Sequence, residues 1–179
     1  MKTYTPDQLA AILAAHREWL VDSSKGKRAD LSDSNLRYSD MRGSNLRGSN
    51  LRGSILRGSN LSDSDLRGSI LPAFLIVPQQ GSFIAWKKAS GVVVKLEIPA
   101  DAKRCNSLVG RKCRAEFVRV LAIDGDTTPG KSVNGSHNHS IIYTVGGITR
   151  PDKYDDDIRV ECTNGIHFFI TYEEAKEYL

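Results

Sequence analysis

Residues 29–72 read ADLSD SNLRY SDMRG SNLRG SNLRG SILRG SNLSD SDLRG SILP. Leu or Met returns every fifth residue, at positions 31, 36, 41, 46, 51, 56, 61, 66 and 71, and a small residue, Ala29 and then Ser34 to Ser69, stands two places before each. A five-residue period overshoots one turn of an α-helix and is odd for a strand, so the aliphatic side chains would drift around either element. A chain that turns after each repeat and stacks on itself keeps them together. The aliphatic centre and the small residue then point inwards, and the other positions face out. The expected fold class is mainly β.

The flanking residues are of a different kind. Thr5-Pro6-Asp7-Gln8 is a helix start, with a threonine cap, proline at the first helical position and a glutamine placed for a capping box. Leu9, Ile12, Leu13, His16 and Leu20 follow on one face at helical spacing, with His16 expected to be a packed histidine. From Gln79 onwards the repeat is gone. Ser82–Lys88 and Val92–Ile98 read as a hairpin across Ala89-Ser90-Gly91. Ala115–Ile123 reads as a strand ended by Asp124-Gly125-Asp126, residues 127–139 as a surface loop, and Ile141–Val145 as a short strand. Ile158–Cys162 and Ile166–Ile170 flank Thr163-Asn164-Gly165, a hairpin signal. Thr171-Tyr172-Glu173-Glu174 opens a last helix running to Leu179. The expected division is an N-terminal helix and linker at 1–28, the repeat at 29–72, and a β-rich C-terminal domain at 79–179 that ends in a helix.

The repeat resembles the pentapeptide repeat proteins, in which the consensus is Ala, Asp or Asn, Leu and two variable residues. That resemblance implies a short right-handed, four-sided β-helix with four repeats to a coil. On that geometry Leu31, Leu51 and Leu71 stack, and Arg37 and Arg47 lie next to Arg57 and Arg67. Serine stands at the small position where the family usually has alanine, so each hydroxyl needs a backbone or water partner. Nine repeats make little more than two coils, and both open ends need caps. The N-terminal helix is expected at the first, and Leu71–Val77 is expected to carry the chain off the other. The C-terminal region, including Asn164-Gly165-Ile166-His167-Phe168-Phe169-Ile170-Thr171, resembles an uncharacterised domain found after pentapeptide repeats in phage-encoded proteins. It brings no catalytic residues.

Charge narrows the function classes. The net +4 is spread over the chain, with five bases and three acids in residues 1–28, six and five in 29–72, and fourteen and thirteen in the remainder. Some pentapeptide repeat proteins are acidic rods that imitate DNA, and a short repeat of net charge +1 cannot do so. Arg37, Arg42, Arg47, Arg52, Arg57 and Arg67 follow the central aliphatic residue and form the candidate partner-binding face, strongest between Met41 and Asn60, where four arginines meet no carboxylate. Asp30, Asp33, Asp40, Asp63, Asp65 and solvent are the alternative compensation for these charges. Lys103, Arg104, Arg111, Lys112, Arg114 and Arg119 form the densest basic cluster, a candidate anion or nucleic-acid surface whose alternative is a solvated strand and loop face.

Catalytic and metal chemistry find little support in these motifs. Cys105 with Cys113, His137 with His139, and Cys162 with His167 have none of the spacings of a zinc finger or ribbon. Cys162 and His167 as a nucleophilic pair compete with a small buried thiol. Asp155-Asp156-Asp157 is either a hard-cation site or an exposed acidic turn. No glycine cluster precedes a helix and lysine as a phosphate loop would. No catalytic residue, metal or cofactor is expected, and the protein is expected not to be an enzyme.

The longest apolar runs fall short of the roughly 20 residues that span a bilayer. No leader-like segment precedes Thr5, and an odd, scattered set of three cysteines suits reduced thiols. The expected location is the cytoplasm, that of the host cell for a phage-encoded protein, with no membrane partner. Together with the resemblance, these features suggest a non-enzymatic phage-type accessory protein that binds and inhibits a host protein complex, for example a defence nuclease. A homo-oligomer is compatible with the sequence. The alternatives are a nucleic-acid-binding module using residues 103–119, which is not favoured, and a small-ligand-binding protein or hydrolase.

Overall fold

The computed structural model describes residues 1–178 and is mainly β with few helices. The chain divides into two compact units. The first comprises Met1–Phe74, Leu108–Gly110 and Ile158–Val160, and the second Leu75–Ser107, Arg111–Asp157 and Glu161–Leu179.

In the first unit, β1 (Lys2–Thr3) leads to α1 (Pro6–Val21), and β2 (Ser34–Asn35) lies within the repeat. Thr5 caps α1 with the expected capping box: its hydroxyl accepts from Gln8 N–H and the Gln8 side chain accepts from Thr5 N–H at 2.9 Å. The repeat comes back into register with itself every 20 residues, through single parallel bridges Asp30 to Asn50, Asn35 to Ile55, Asp40 to Asn60, Asn45 to Asp65 and Asn50 to Ile70. Leu31, Leu36, Met41, Leu46, Leu51, Leu56 and Leu61 are buried in one core, with Leu66 and Leu71 partly buried against it.

One repeat accounts for the five-residue period. Met41 N–H donates to Asn60 O at 2.9 Å and Gly43 N–H to Ser62 O at 2.9 Å, both one stack away. Between them, Arg42 N–H is turned back to Asp40 Oδ1 at 3.1 Å. Ser44 then closes a four-residue turn, its N–H donating to Met41 O at 3.1 Å and its hydroxyl to the same oxygen at 2.6 Å. The third turn residue is left-handed, with φ of 62° at Gly43, which is why glycine recurs there. The Asn or Asp that precedes the aliphatic centre in every repeat but two, where Ile55 and Ile70 stand, is thus a turn-forming residue, and the serine hydroxyls find the backbone partners that burial demands at Ser54, Ser59, Ser64 and Ser69 also. Ser49 Oγ is buried without a partner among the described residues.

Both ends of this ladder are closed. At the first, β1 pairs in parallel with β2, and Lys2 N–H reaches Asp33 O at 3.1 Å. Ala29 has no preceding repeat to accept its N–H, and buried His16 Nδ1 does so at 3.2 Å. His16 is therefore a structural acceptor, and its burial lowers its pKa. At the other end Gly58 N–H would point at a further coil; it donates instead to Val109 O at 2.7 Å. The Arg159 guanidinium donates to Ser64 O. Leu108, Val109, Ile158 and Phe74 pack on the repeat core, and Leu108 N–H bonds Ile158 O at 2.8 Å. The exit segment Leu71–Val77 contributes only in part, since Leu75 is exposed and Val77 is buried in the other core.

The second unit contains β3 (Phe83–Ala89), β4 (Val92–Ile98), β5 (Arg104–Asn106), β6 (Cys113–Ala115), β7 (Val118–Ile123), β8 (Ser132–Asn134), β9 (Ile142–Thr144), β10 (Ile148–Thr149), β11 (Ile166–Phe168) and α2 (Tyr172–Glu177). Antiparallel sheets run β10-β7-β4-β3, β11-β6-β5 and β8-β9. Trp86 and Phe169 exchange backbone hydrogen bonds of 2.9 and 2.7 Å, joining β3 to the chain just after β11. The hairpin of β3 and β4 forms as expected, turning at Ser90 and Gly91, both left-handed. The expected strand 115–123 is instead two, β6 and β7, in different sheets, and residues 127–139 include β8.

The expected hairpin of 158–162 with 166–170 does not form. β11 pairs with β6, Ile166 opposite Ala115 and Phe168 opposite Cys113. Within the other arm Ile158 O accepts from Leu108 N–H at 2.8 Å and Glu161 O from buried Arg114 at 3.2 Å, and just before it Arg114 also donates to Asp155 O at 3.0 Å and Asp157 O at 2.6 Å. Thr171 caps α2 with its capping box to Glu174. The expected helix end at Leu179 lies outside the described residues.

Gly26 supplies a test of the packing at the first end. It has φ of 62°, and a Cβ there would stand 2.2 Å from Ala15 O. Gly26→Ala is expected to destabilise the fold by about 1–3 kcal/mol, read as a lowered urea midpoint at unchanged slope. Deleting residues 1–25 is expected to expose the leucine core and cause aggregation, read by light scattering.

Candidate functional site

Each outward arginine of the repeat stands just after a central aliphatic residue, at the second position of a turn, and all six are exposed. Two of them have carboxylate partners. Arg42 Nε lies 3.5 Å from Asp63, and Arg67 grips Asp65 with Nη2 at 2.6 Å and Nε at 2.9 Å, holding that carboxyl well below the usual range. Among the described residues no ion pair joins Arg37, Arg47, Arg52 or Arg57. Asp30 and Asp40 are occupied as turn acceptors for Ser32 and Arg42 N–H. Tyr38 adds an aromatic to this face. It is 77% exposed, its N–H donates to Arg57 O at 3.2 Å, and its ring lies over Gly58, where a Cβ would be 2.6 Å from two ring carbons.

The basic run from Lys103 to Arg119 does not make one face. Arg114 and Lys112 are buried. Arg104 spends its guanidinium on the carbonyls of Gly81 at 2.7 Å, Ala100 at 2.6 Å and Ala102 at 3.1 Å. Arg111 pairs with Glu174, and Arg119 lies 3.3 Å from Glu97 on the neighbouring strand. Lys103 is left exposed. β6 is buried along its whole length, so Arg114 within it and Lys112 just before it are taken out of solvent and the linear cluster is divided. A nucleic-acid surface built from these six residues is therefore corrected: they do not share a solvent-facing patch.

Lys112 lines a cavity of the second unit. Lys87, Lys88, Lys112, His137, His167, Phe169 and Tyr178 surround about 120 Å³, without a carboxylate among the lining residues. An adjoining space of about 200 Å³ shares Lys87, His137 and His167 and adds Tyr143, Asp152 and Asn164. Lys112 Nζ meets Cys162 Sγ at 3.0 Å and Tyr178 Oη at 2.5 Å, and lies 4.3 Å from the Tyr178 ring centre. Lys88 Nζ donates to Tyr178 O at 2.8 Å. Lys87 lies 5.7 Å from the Tyr143 ring centre, and burial, with the Lys112 charge, brings its pKa down to about 8. His167 Nε2 is buried without a partner among the described residues. Burial, then the charges of Lys87, Lys112 and Arg114, brings its pKa down to about 4. Sequence reading missed Lys87; its signal was an inward position in β3 between the buried Ala85 and Ala89.

The remaining candidates are structural. Cys162 contacts Lys112 rather than His167. Cys113 is buried, and burial pushes its thiol up to about 12. Asp155 accepts from Asp157 N–H at 2.9 Å and Thr163 Oγ1 at 2.7 Å, so it shapes a turn. Because His167 takes up its proton more readily unfolded than folded, its contribution to stability is full above about 6.5 and is lost as pH falls towards about 4. Urea midpoints are expected to fall across that window, and His167→Gln is expected to flatten the fall.

A comparison with curated proteins and one with solved structures gave no match. Models of two families do match. Pentapeptide repeats match residues 27–71 in 8 copies, one fewer than the nine aliphatic centres from Leu31 to Leu71. A family of unknown function, DUF5758, matches residues 73–175, more than half of the 179. It spans the buried Arg114, the cavity and the segments 108–110 and 158–160 that complete the repeat core. The chain therefore belongs to the DUF5758 family, with pentapeptide repeats preceding the matched region.

Proposed function

We propose that the chain is a non-enzymatic protein-binding module whose contact surface is the side of the repeat that carries Arg37, Tyr38 and Arg57, directed at an acidic surface of a protein complex. The observation that carries this reading is Tyr38, exposed and held over Gly58, with Arg37 beside it in sequence and Arg57 opposite it in the stack. Tyrosine and arginine are the residue types that most often dominate protein interfaces. Here the turn chemistry fixes their backbones, so little conformational entropy is lost when they bind. Four of the six arginines lack a carboxylate partner among the described residues, so their charge is available to another molecule.

The finer parts of the reading rest on resemblance together with the 20-residue register. We read the repeat as a short right-handed, four-sided β-helix, and the protein as a cytoplasmic phage-type accessory protein that inhibits a host complex, such as a defence nuclease. Inhibition needs only that the rigid face covers a working surface of its target. The alternative of nucleic-acid binding through residues 103–119 loses its support, because those residues are divided between buried and paired positions.

The test compares wild type with the triple variant Arg37→Glu, Tyr38→Ala, Arg57→Glu as bait in host lysate. One complex recovered with wild type, lost with the variant and inhibited by the purified protein is the expected result. Retention of the same complex by the variant would remove the arginine face from the account. The substitutions lie on exposed turns and are expected to change stability by less than about 1 kcal/mol.

A further inference from the structure

The cavity between β3, β6 and β11 is electrostatically one-sided. Lys87, Lys88 and Lys112 bring three amines to its wall, His137 and His167 two imidazoles, and among the described lining residues of the inner space none is acidic. Buried like charges repel, and a buried charge without a counter-ion is among the costliest features a fold can carry. Lys112 is satisfied by Cys162 and Tyr178, and Lys88 by Tyr178 O. Lys87 has a ring face for company and no hydrogen-bond acceptor among the described residues, and His167 Nε2 is buried with none. An ammonium without an acceptor and an imidazole nitrogen without a partner therefore face the same space, and that nitrogen becomes a donor when an anion draws a proton onto the ring.

We propose that this cavity is a binding site for a small tetrahedral oxyanion of the phosphate type, held by the Lys87 and Lys112 ammoniums and by an N–H of His167. At about 120 Å³ the inner space is smaller than the roughly 300 Å³ at which pockets for drug-sized ligands begin, so it selects an ion or a single phosphoryl group. The aromatic walls, Phe169 and Tyr178, lower the local dielectric and strengthen each charge contact. Asp152 is the one carboxylate among the described lining residues of the adjoining space and disfavours a second anion there. The lowered pKa values of Lys87 and His167 describe the empty site; an anion favours their charged forms and raises both.

Nuclear magnetic resonance of the full chain with inorganic phosphate, at constant ionic strength, tests this. Expected are saturable shifts of the Lys87, Lys112 and His167 side-chain signals below about 10 mM, at least tenfold weaker binding with acetate, and a rise of about one unit or more in the Lys87 titration midpoint. Lys87→Met is expected to abolish the saturable shifts while the remaining amide spectrum is preserved. Should that variant not fold, the Lys87 titration of the wild-type chain in phosphate against chloride decides the matter alone. Absence of saturable shifts, equal shifts with acetate, equal shifts in a folded Lys87→Met chain, or an unmoved Lys87 midpoint would overturn the proposal.

Discussion

A stacked chain leaves backbone donors and acceptors open at both of its ends, and the structure of the repeat unit depends on closing them. Within the stack the amides from Met41 to Ser44 have partners in the neighbouring layer or within their own turn. At the ends that arithmetic fails, and an unpaired buried amide costs about 1–3 kcal/mol. The first end is completed by a two-residue strand and by a histidine nitrogen, and the second by a carbonyl and a guanidinium from residues 109 and 159. Those two residues lie far beyond Pro72 in the chain. The repeat is therefore periodic in sequence and not self-sufficient as a folded body.

The legible part of the fold was the part governed by local rules. The period, the inward leucines, the capping boxes at Thr5 and Thr171 and the hairpin across Ser90-Gly91 each follow from residues a few places apart. The hairpin at Thr163-Asn164-Gly165 had equally good local chemistry and did not form. Arg114, some forty residues earlier, takes the carbonyls of 155, 157 and 161, and β6 pairs with β11 in place of the expected arm. Likewise the strand expected at 115–123 carries a break after Ala115 because its two halves serve different sheets. Turn propensity says where a chain can reverse, while the partner of each strand is decided by tertiary contacts.

The same distinction applies to function. The arginines of the repeat were readable because every one occupies the same place in a rigid turn. The basic run at 103–119 looked denser, and burial of β6 and of the residue before it took Lys112 and Arg114 out of solvent, where one lines a cavity and the other braces a loop. Lys87 was invisible as a site residue because a lone lysine in a strand is usually solvated. What distinguishes it is company: Ala85 and Ala89 on the same buried face, with Lys112 brought in from just before β6 and His167 from β11. Two chemically separate features result, an exposed arginine and tyrosine surface on one unit and an enclosed cationic cavity within the other.

Hydrogen exchange at Gly58 tests the completed ladder most directly. Its amide donates to Val109 O at 2.7 Å, where Gly43 and Gly48 donate to the repeat's own carbonyls at 2.9 Å. The account predicts that Gly58 is protected to the same degree as Gly43 and Gly48 in the full chain. Exchange at Gly58 as fast as in an open surface loop, with Gly43 and Gly48 still protected, would contradict it.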